Sequence, residues 1–158
     1  IIVGLAVLSI GDNQAERERR LTEQVATLME LAKESALFNA EEFGVSFWKH
    51  GYEFYRFDGQ QWQPIIDDVQ LRPRELPEDI NISLYLEGLR VELPSFIKTN
   101  SRKLDKSDTS ENEQPPQVFF LSSGEVTPFE LRLGSGQDTE MELISDTLGN
   151  FTMTRQEG

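Results

Sequence analysis

Two groups of residues in this 158-residue chain have the types to do chemistry. The first is the serine pair Ser122 and Ser123. A nucleophilic serine needs a general base within hydrogen-bond reach, and the single histidine, His50, sits beside Gly51 in the context of a tight turn. The second is a set of carboxylates: Asp67 with Asp68, Glu78 with Asp79, and the run Asp105, Asp108, Glu111 and Glu113. Carboxylate oxygens suit a hard cation such as calcium, but the run lacks the glycine and the ligand spacing of an EF-hand loop. Cysteine is absent, which excludes a disulfide, a thiolate nucleophile and a Cys-based zinc or iron–sulfur site. No phosphate-cradling glycine loop is present, and nothing places a nucleophile, a base and an orienting group together. The residues therefore predict a protein that is not an enzyme, with no catalytic, cofactor or metal site.

Charge narrows the partners. Fifteen Lys and Arg against 28 Asp and Glu give a formal charge of −13, spread along the chain. From Phe43 onward the count is 11 basic to 20 acidic residues, a net of −9. Polyanions are poor partners for such a surface, and no nucleic acid is expected, against which stands a local basic patch such as Arg102, Lys103 and Lys106.

The elements that must position these residues begin with an apolar run. Ile1 to Ile10 carries no charge, yet it is too short to cross a bilayer alone, since a spanning helix needs about 20 residues. It reads as the second half of a membrane segment, with a signal-peptide core and a buried helix end of a soluble domain as competing readings. Asp12 to Ala40 contains no Pro or Gly, and Leu21, Val25, Leu28, Ala32 and Ala36 recur at helical spacing. Glu16, Glu18, Arg19, Glu23, Glu30 and Lys33 are expected on the other faces. Gly11 could break the helix, but one continuous rod of about 60 Å is the favoured reading.

Beyond Ala40 the period becomes alternating. Val45–Lys49, Tyr52–Phe57 and a segment around Trp62 read as a meander, with Asp58 and Gly59 at one turn. Ile80, Ile82, Leu84 and Leu86 alternate with polar residues and lead through Gly88 into a second hairpin. A strand, a turn at Ser123 and Gly124 and another strand follow, and the last hairpin sets Met141 and Leu143 against Phe151 and Met153 with Gly149 at the turn. Gly124 permits a positive φ, Pro128 fits a strand start because it lacks an N–H, and Phe129 and Leu131 are expected to point inward. Residues 98–116 contain one large apolar side chain, Leu104, and read as a mobile loop. The fold expected is α+β: a long N-terminal α-helix packed on antiparallel β-sheets, with about eight to ten short strands in two sheets. The divisions are residues 1–10, the amphipathic helix 11–40, and a β-rich globular domain 41–158.

Seven aromatics, Phe47, Trp48, Tyr52, Phe54, Tyr55, Phe57 and Trp62, fall within sixteen positions. Either some of them, with Trp48, Tyr52 and Trp62 as candidates, line a groove that receives another protein, or they fill the space between sheets and helix.

The apolar helix start running into an amphipathic helix, "EEFGV", "GYEFYRFDGQQW" and above all "VFFLSSGEVTPFEL" resemble the H-type minor pseudopilin of the bacterial type II secretion system, a type IV pilin-like family. The similarity covers nearly the whole chain, and Ser122–Phe129 is its most specific part. The resemblance implies a structural subunit of the periplasmic pseudopilus, held in the inner membrane by a single helix, that assists export of folded exoproteins across the outer membrane. Implied partners are other minor pseudopilins, the major pseudopilin, the membrane, and further the secretin and exoprotein substrates. Ile2, Leu5, Val7 and Leu8 would supply lateral packing in the assembly helix, and Leu21, Val25, Leu28 and Ala32 would dock the helix on its own sheet. Ser123, Gly124, Pro128 and Phe129 carry the family-like turn and strand. The family's leader cleavage site, its N-methylated Phe and the glutamate after it do not occur here, so a trimmed form is expected and processing is assigned to no residue. The alternative is a minor pilin of a type IV pilus with a role in DNA uptake or adhesion.

Overall fold

The computed structural model describes residues 2–95, 115–136 and 139–157, with residues 2–12 and 139 described by their backbone alone. The loop expected at 98–116 therefore lies outside the described residues except for Pro115 and Pro116. A single helix, α1 (Ile2–Asn39), runs unbroken through Gly11 and is about 57 Å long at 1.5 Å per residue. Ala40 ends it in the left-handed region at φ 54°, and the N–H of Glu41 returns to the carbonyl of Ala36 at 3.2 Å. This is the Schellman closure normally given to glycine, made here by a residue with a Cβ.

Ten strands follow, paired in two antiparallel sheets of five among the described residues. The first contains β1 (Phe43–Trp48), β2 (Gly51–Phe57), β3 (Trp62–Pro64), β4 (Arg74–Glu75) and β7 (Val118–Phe120), in the order β3-β2-β1-β7 with β4 also on β2. The second contains β5 (Asn81–Leu86), β6 (Leu89–Arg90), β8 (Phe129–Gly134), β9 (Thr139–Ser145) and β10 (Phe151–Glu157), in the order β10-β9-β8-β5-β6. Directly opposed residues share a face. Phe47 opposite Tyr52 and Val45 opposite Phe54 and Val118 make the apolar face of the first sheet. Leu131, opposite both Leu84 and Leu143, makes that of the second.

Both apolar faces meet on α1. Val25, Met29, Ala32 and Ala36 are wholly buried there, with Phe47, Tyr52, Phe54, Phe120, Leu84, Leu131, Leu133 and Leu143 in the same core. The expected strand–turn–strand around Gly124 exists, but its two strands lie in different sheets: β7 pairs with β1, and β8 with β5 and β9. The crossover is a local pair held by the bridge between Phe120 and Val126, by the N–H of Leu121 on the carbonyl of Glu125 (2.8 Å), and by Phe119 and Thr127, which exchange a bond from Thr127 N–H to Phe119 O and one from Phe119 N–H to Thr127 Oγ1 (each 3.0 Å).

The helix register needs one correction. Leu28 is buried with Val25 and Ala32, and Leu21 is only partly buried against the core. The fully buried stripe continues upward through Thr22 and Glu18, and Glu18 had been expected on a solvent face. One of its oxygens is matched: Glu18 Oε1 accepts both the N–H and the Oγ–H of Ser135, each at 3.2 Å, just after β8, while Oε2 is buried with no hydrogen-bond partner among the described residues. A buried carboxylate is tolerated when hydrogen bonds meet it, and a polarity pattern read along one helix does not reveal a donor that folding brings from residue 135.

Replacing Ala40 by Gly removes a left-handed Cβ without touching the core, so Ala40→Gly is expected to raise stability by about 0.5–1 kcal/mol. Urea unfolding checks this; an unchanged or lower midpoint would show that Ala40 carries no strain.

Candidate assembly surface

The residues that carry the family-like pattern converge at the lower end of α1. Ser122 gives its N–H to Glu42 Oε2 at 3.1 Å and its Oγ–H to Glu42 Oε1 at 2.9 Å, so the "EEFG" and "SSGEVTPF" stretches, eighty positions apart, clasp each other. Gly124 has φ 95°, and a Cβ there would stand 3.3 Å from Leu37 of the helix. Ser123 accepts the N–H of Glu125 at 3.4 Å inside the turn. Pro128 immediately precedes β8, and Phe129, its first residue, is buried. The pairing of Glu42 with Ser122 could not be read from the sequence, because a glutamate beside another glutamate, Glu41, looks like ordinary solvated charge.

The nearby turn between β9 and β10 is fixed to the same helix turns. Lys33 donates to the carbonyl of Gly149 at 2.9 Å, lies 5.4 Å from the centroid of the Phe151 ring and pairs with Glu30 at 2.6 Å. Within the turn Asp146 accepts the backbone N–H (3.0 Å) and side-chain amide (2.8 Å) of Asn150, and the side-chain bond, then the backbone bond, hold its carboxyl below the usual range.

The upper part of the helix meets the second sheet through polar contacts. Arg17 pairs with Asp79, Arg155 donates to the carbonyl of Ala15 at 3.0 Å, and Glu18 holds Ser135. Ile2, Leu5, Val7 and Leu8 fall in the first turns of α1, where only the backbone is described. No helix among the described residues is long and apolar enough to cross a membrane.

The proposed aromatic groove does not form as expected. Tyr52 is wholly buried, its ring 6.1 Å from that of Phe47 and 6.0 Å from that of Phe54. Trp48 is buried because its indole lies across Gly51, where a Cβ would collide with the ring. Trp62 alone of the three is half-buried, against Phe57 (5.2 Å) and Phe119 (5.5 Å) on the outer face of the first sheet. The alternation of β2 sends Tyr52 and Phe54 to the helix side, where a ring gains most from leaving water.

The chemistry-bearing residues are dispersed. His50 Nδ1 sits 2.9 Å from the carbonyl of Ile80 in the turn after β1, whereas Ser122 is held by Glu42 before β1. The length of a six-residue strand, about 20 Å, thus separates imidazole from hydroxyl. Asp68 accepts the N–H groups of Gln70 (2.7 Å) and Leu71 (2.8 Å), and Asp79 belongs to Arg17. Asp105, Asp108, Glu111 and Glu113 lie outside the described residues. On the outer face of the second sheet Arg132 covers the Tyr85 ring at 4.8 Å and bridges Glu130 and Glu142. Burial opposes ionisation of Glu142, yet bonds from Glu130, Gln156 and Thr154 hold its carboxyl low; Glu130, hydrogen-bonded to Glu142, is pushed up in return.

Two measurements follow from this geometry. Glu42→Ala strands the Ser122 donors and is expected to cost about 2 kcal/mol in urea unfolding, against about 1 kcal/mol for Ser122→Ala; a silent Glu42→Ala would mean the clasp contributes nothing. The Tyr52 hydroxyl is buried with no hydrogen-bond partner, and burial, opposed by the charge of Arg74, pushes its pKa up to about 12 from 10.0. The folded state thus disfavours tyrosinate, a contribution present below pH 10 and lost as pH rises toward 12. Ultraviolet titration should show Tyr52 resisting ionisation until about pH 12, and Tyr52→Phe should remove that amplitude without loss of stability.

Comparison with known proteins gives this geometry a context. The type II secretion system protein H of Pseudomonas aeruginosa is 29% identical over 160 residues, covering 99% of this chain and 86% of that protein. The protein of the same name from Aeromonas hydrophila is 26% identical over 165 residues, with 99% and 86% covered. The crystal structure of the minor pseudopilin EpsH from the type II secretion system of Vibrio cholerae superimposes with a TM-score of 0.69 at 23% identity, over 90% of this chain and 96% of that one, and so shares the fold. The sequence pattern of the type II transport protein GspH family matches residues 21–149, the span from the docked half of α1 through β9 into the turn before β10, and the chain belongs to that family.

Proposed function

We propose that this chain is a non-enzymatic structural subunit of the type II secretion pseudopilus that assists export of folded exoproteins across the outer membrane. The observation that carries the reading is the division of labour along α1. Its lower half is the wall on which both sheets pack, while its first ten residues carry no charge and extend the same helix. An apolar helical segment leaves lipid only where its surface is covered again, and similar helices of neighbouring pseudopilins supply that cover. Residues 1–10 would form the end of a single inner-membrane helix used for assembly, with Ile2, Leu5, Val7 and Leu8 in lateral packing, and residues 41–158 would stand in the periplasm. Leu21, Val25, Leu28 and Ala32 would keep the domain at a fixed angle on that rod. Other minor pseudopilins and the major pseudopilin are the direct partners in this reading, with the secretin and exoproteins met by the assembled filament.

Titration calorimetry of this chain against the soluble domains of the other pseudopilins of the same secretion system tests the reading. Saturable binding to at least one is expected; failure with every one would remove its support at the level of the globular domain.

A further inference from the structure

Apolar side chains lie exposed along the lower half of α1 and on the loop after β3. Phe38 is 91% exposed, Val69 83% and Ile66 60%. Ser35 and Asn39 of the helix line a cleft of about 390 Å³ together with Ile65, Ile66 and Asp67 of that loop. Phe38 follows Ser35 by three positions and Leu31 precedes it by four, so both stand on the adjoining helix surface. The strip from Leu31 to Phe38 is two helical turns, about 10 Å long. Exposed apolar surface gathered in this way, rimmed by polar groups, marks an interaction site.

The rim is acidic. Glu34 and Asp67 are exposed and make no hydrogen bond or ion pair among the described residues. Asp68 beside them spends Oδ1 on the backbone of its own loop. The cation among the lining residues, Arg56, faces Glu41 at 3.9 Å.

We propose that this strip docks the basic face of a neighbouring pseudopilin's helix, one that presents a guanidinium or ammonium group three or four positions from an apolar side chain. The inference rests on the pseudopilin reading and specifies the surface and the partner's chemistry. Covering Phe38 and Ile66 with another element would desolvate Glu34 and Asp67, which is unfavourable unless the covering surface brings a cation. A linear strip two turns long beside a helix suits another helix. A second copy of this chain is a poor occupant: its exposed Arg20 is flanked by Glu16 and Glu23, and two bodies of charge −13 repel.

The test is calorimetry of the chain and three variants, Phe38→Asp, Ile66→Asp and the double Glu34→Lys/Asp67→Lys, against the soluble domain of each other pseudopilin of the same secretion system, at low salt (about 50 mM) and at about 300 mM. The substituted side chains are exposed, so an unchanged unfolding midpoint is the control for folding. For one partner, each variant is expected to weaken binding at least about tenfold, salt is expected to weaken the unmodified pair, and a Lys or Arg to Glu change on the partner helix is expected to restore binding of the double-Lys variant. Binding that survives all three variants overturns the proposal and leaves the pseudopilin reading standing. Self-association of the unmodified chain that Phe38→Asp abolishes makes a second copy the occupant and overturns it as well. Absence of binding to any pseudopilin removes both.

Discussion

One narrow helix stripe is the constraint on which the structure depends. The two sheets belong to one core only because Val25, Met29, Ala32 and Ala36 lie between apolar faces built from Phe47, Tyr52, Phe54 and Phe120 on one side and Leu84, Leu131, Leu133 and Leu143 on the other. The alanines matter as much as the large residues: with Cβ atoms alone at 32 and 36, the backbone of α1 can approach both sheets closely, and the rings of the first sheet fill the remaining volume. A five-stranded sheet with a single apolar face is not stable alone in water, so docking on the helix and sheet formation must be largely one cooperative event.

Chain connectivity reinforces that arrangement. β7 completes the first sheet and β8 opens the core of the second, so the intervening crossover must be rigid. Glu42 anchors Ser122 at its start, Gly124 turns against Leu37, and Val126 gives its N–H to the carbonyl of Thr147 at 3.1 Å. At the other end of the first strand, Gln117 extends the ladder with a side chain: its amide oxygen accepts the N–H of Phe47 at 2.7 Å, and its amide nitrogen donates to the carbonyl of Phe47 at 3.3 Å. The segment Ser122–Phe129 is therefore the joint between the sheets, fixed by backbone geometry and a few polar contacts.

Along α1 the chemistry of attachment changes. Below Val25 the docking stripe is apolar and water-excluding, with Lys33 bonded to the Gly149 carbonyl beside it; above Val25, Glu18, Arg17 and the Ala15 carbonyl reach Ser135, Asp79 and Arg155 through hydrogen bonds and an ion pair. Apolar docking is insensitive to small shifts, whereas hydrogen bonds fix direction. The upper contacts thus set the angle at which the rod leaves the domain.

Periodicity in the sequence determined the long helix, the alternating strands, the turns at Gly88, Gly124 and Gly149, and the strip Val25, Leu28, Ala32, because each depends on residues close together in the chain. The motif around Gly124 was legible for the same reason, as were the acidic surface and the absence of cysteine chemistry. Only the tertiary structure decided which strands share a sheet, that Glu18 is buried opposite Ser135, that Tyr52 and Trp48 belong to the packed interior, and that Glu42 clasps Ser122. Each of these joins residues at least thirty positions apart or turns on which face of a strand meets the helix. Long-range pairing is selected by the sum of burial and hydrogen bonding over the whole core, and local residue patterns hold no record of that sum.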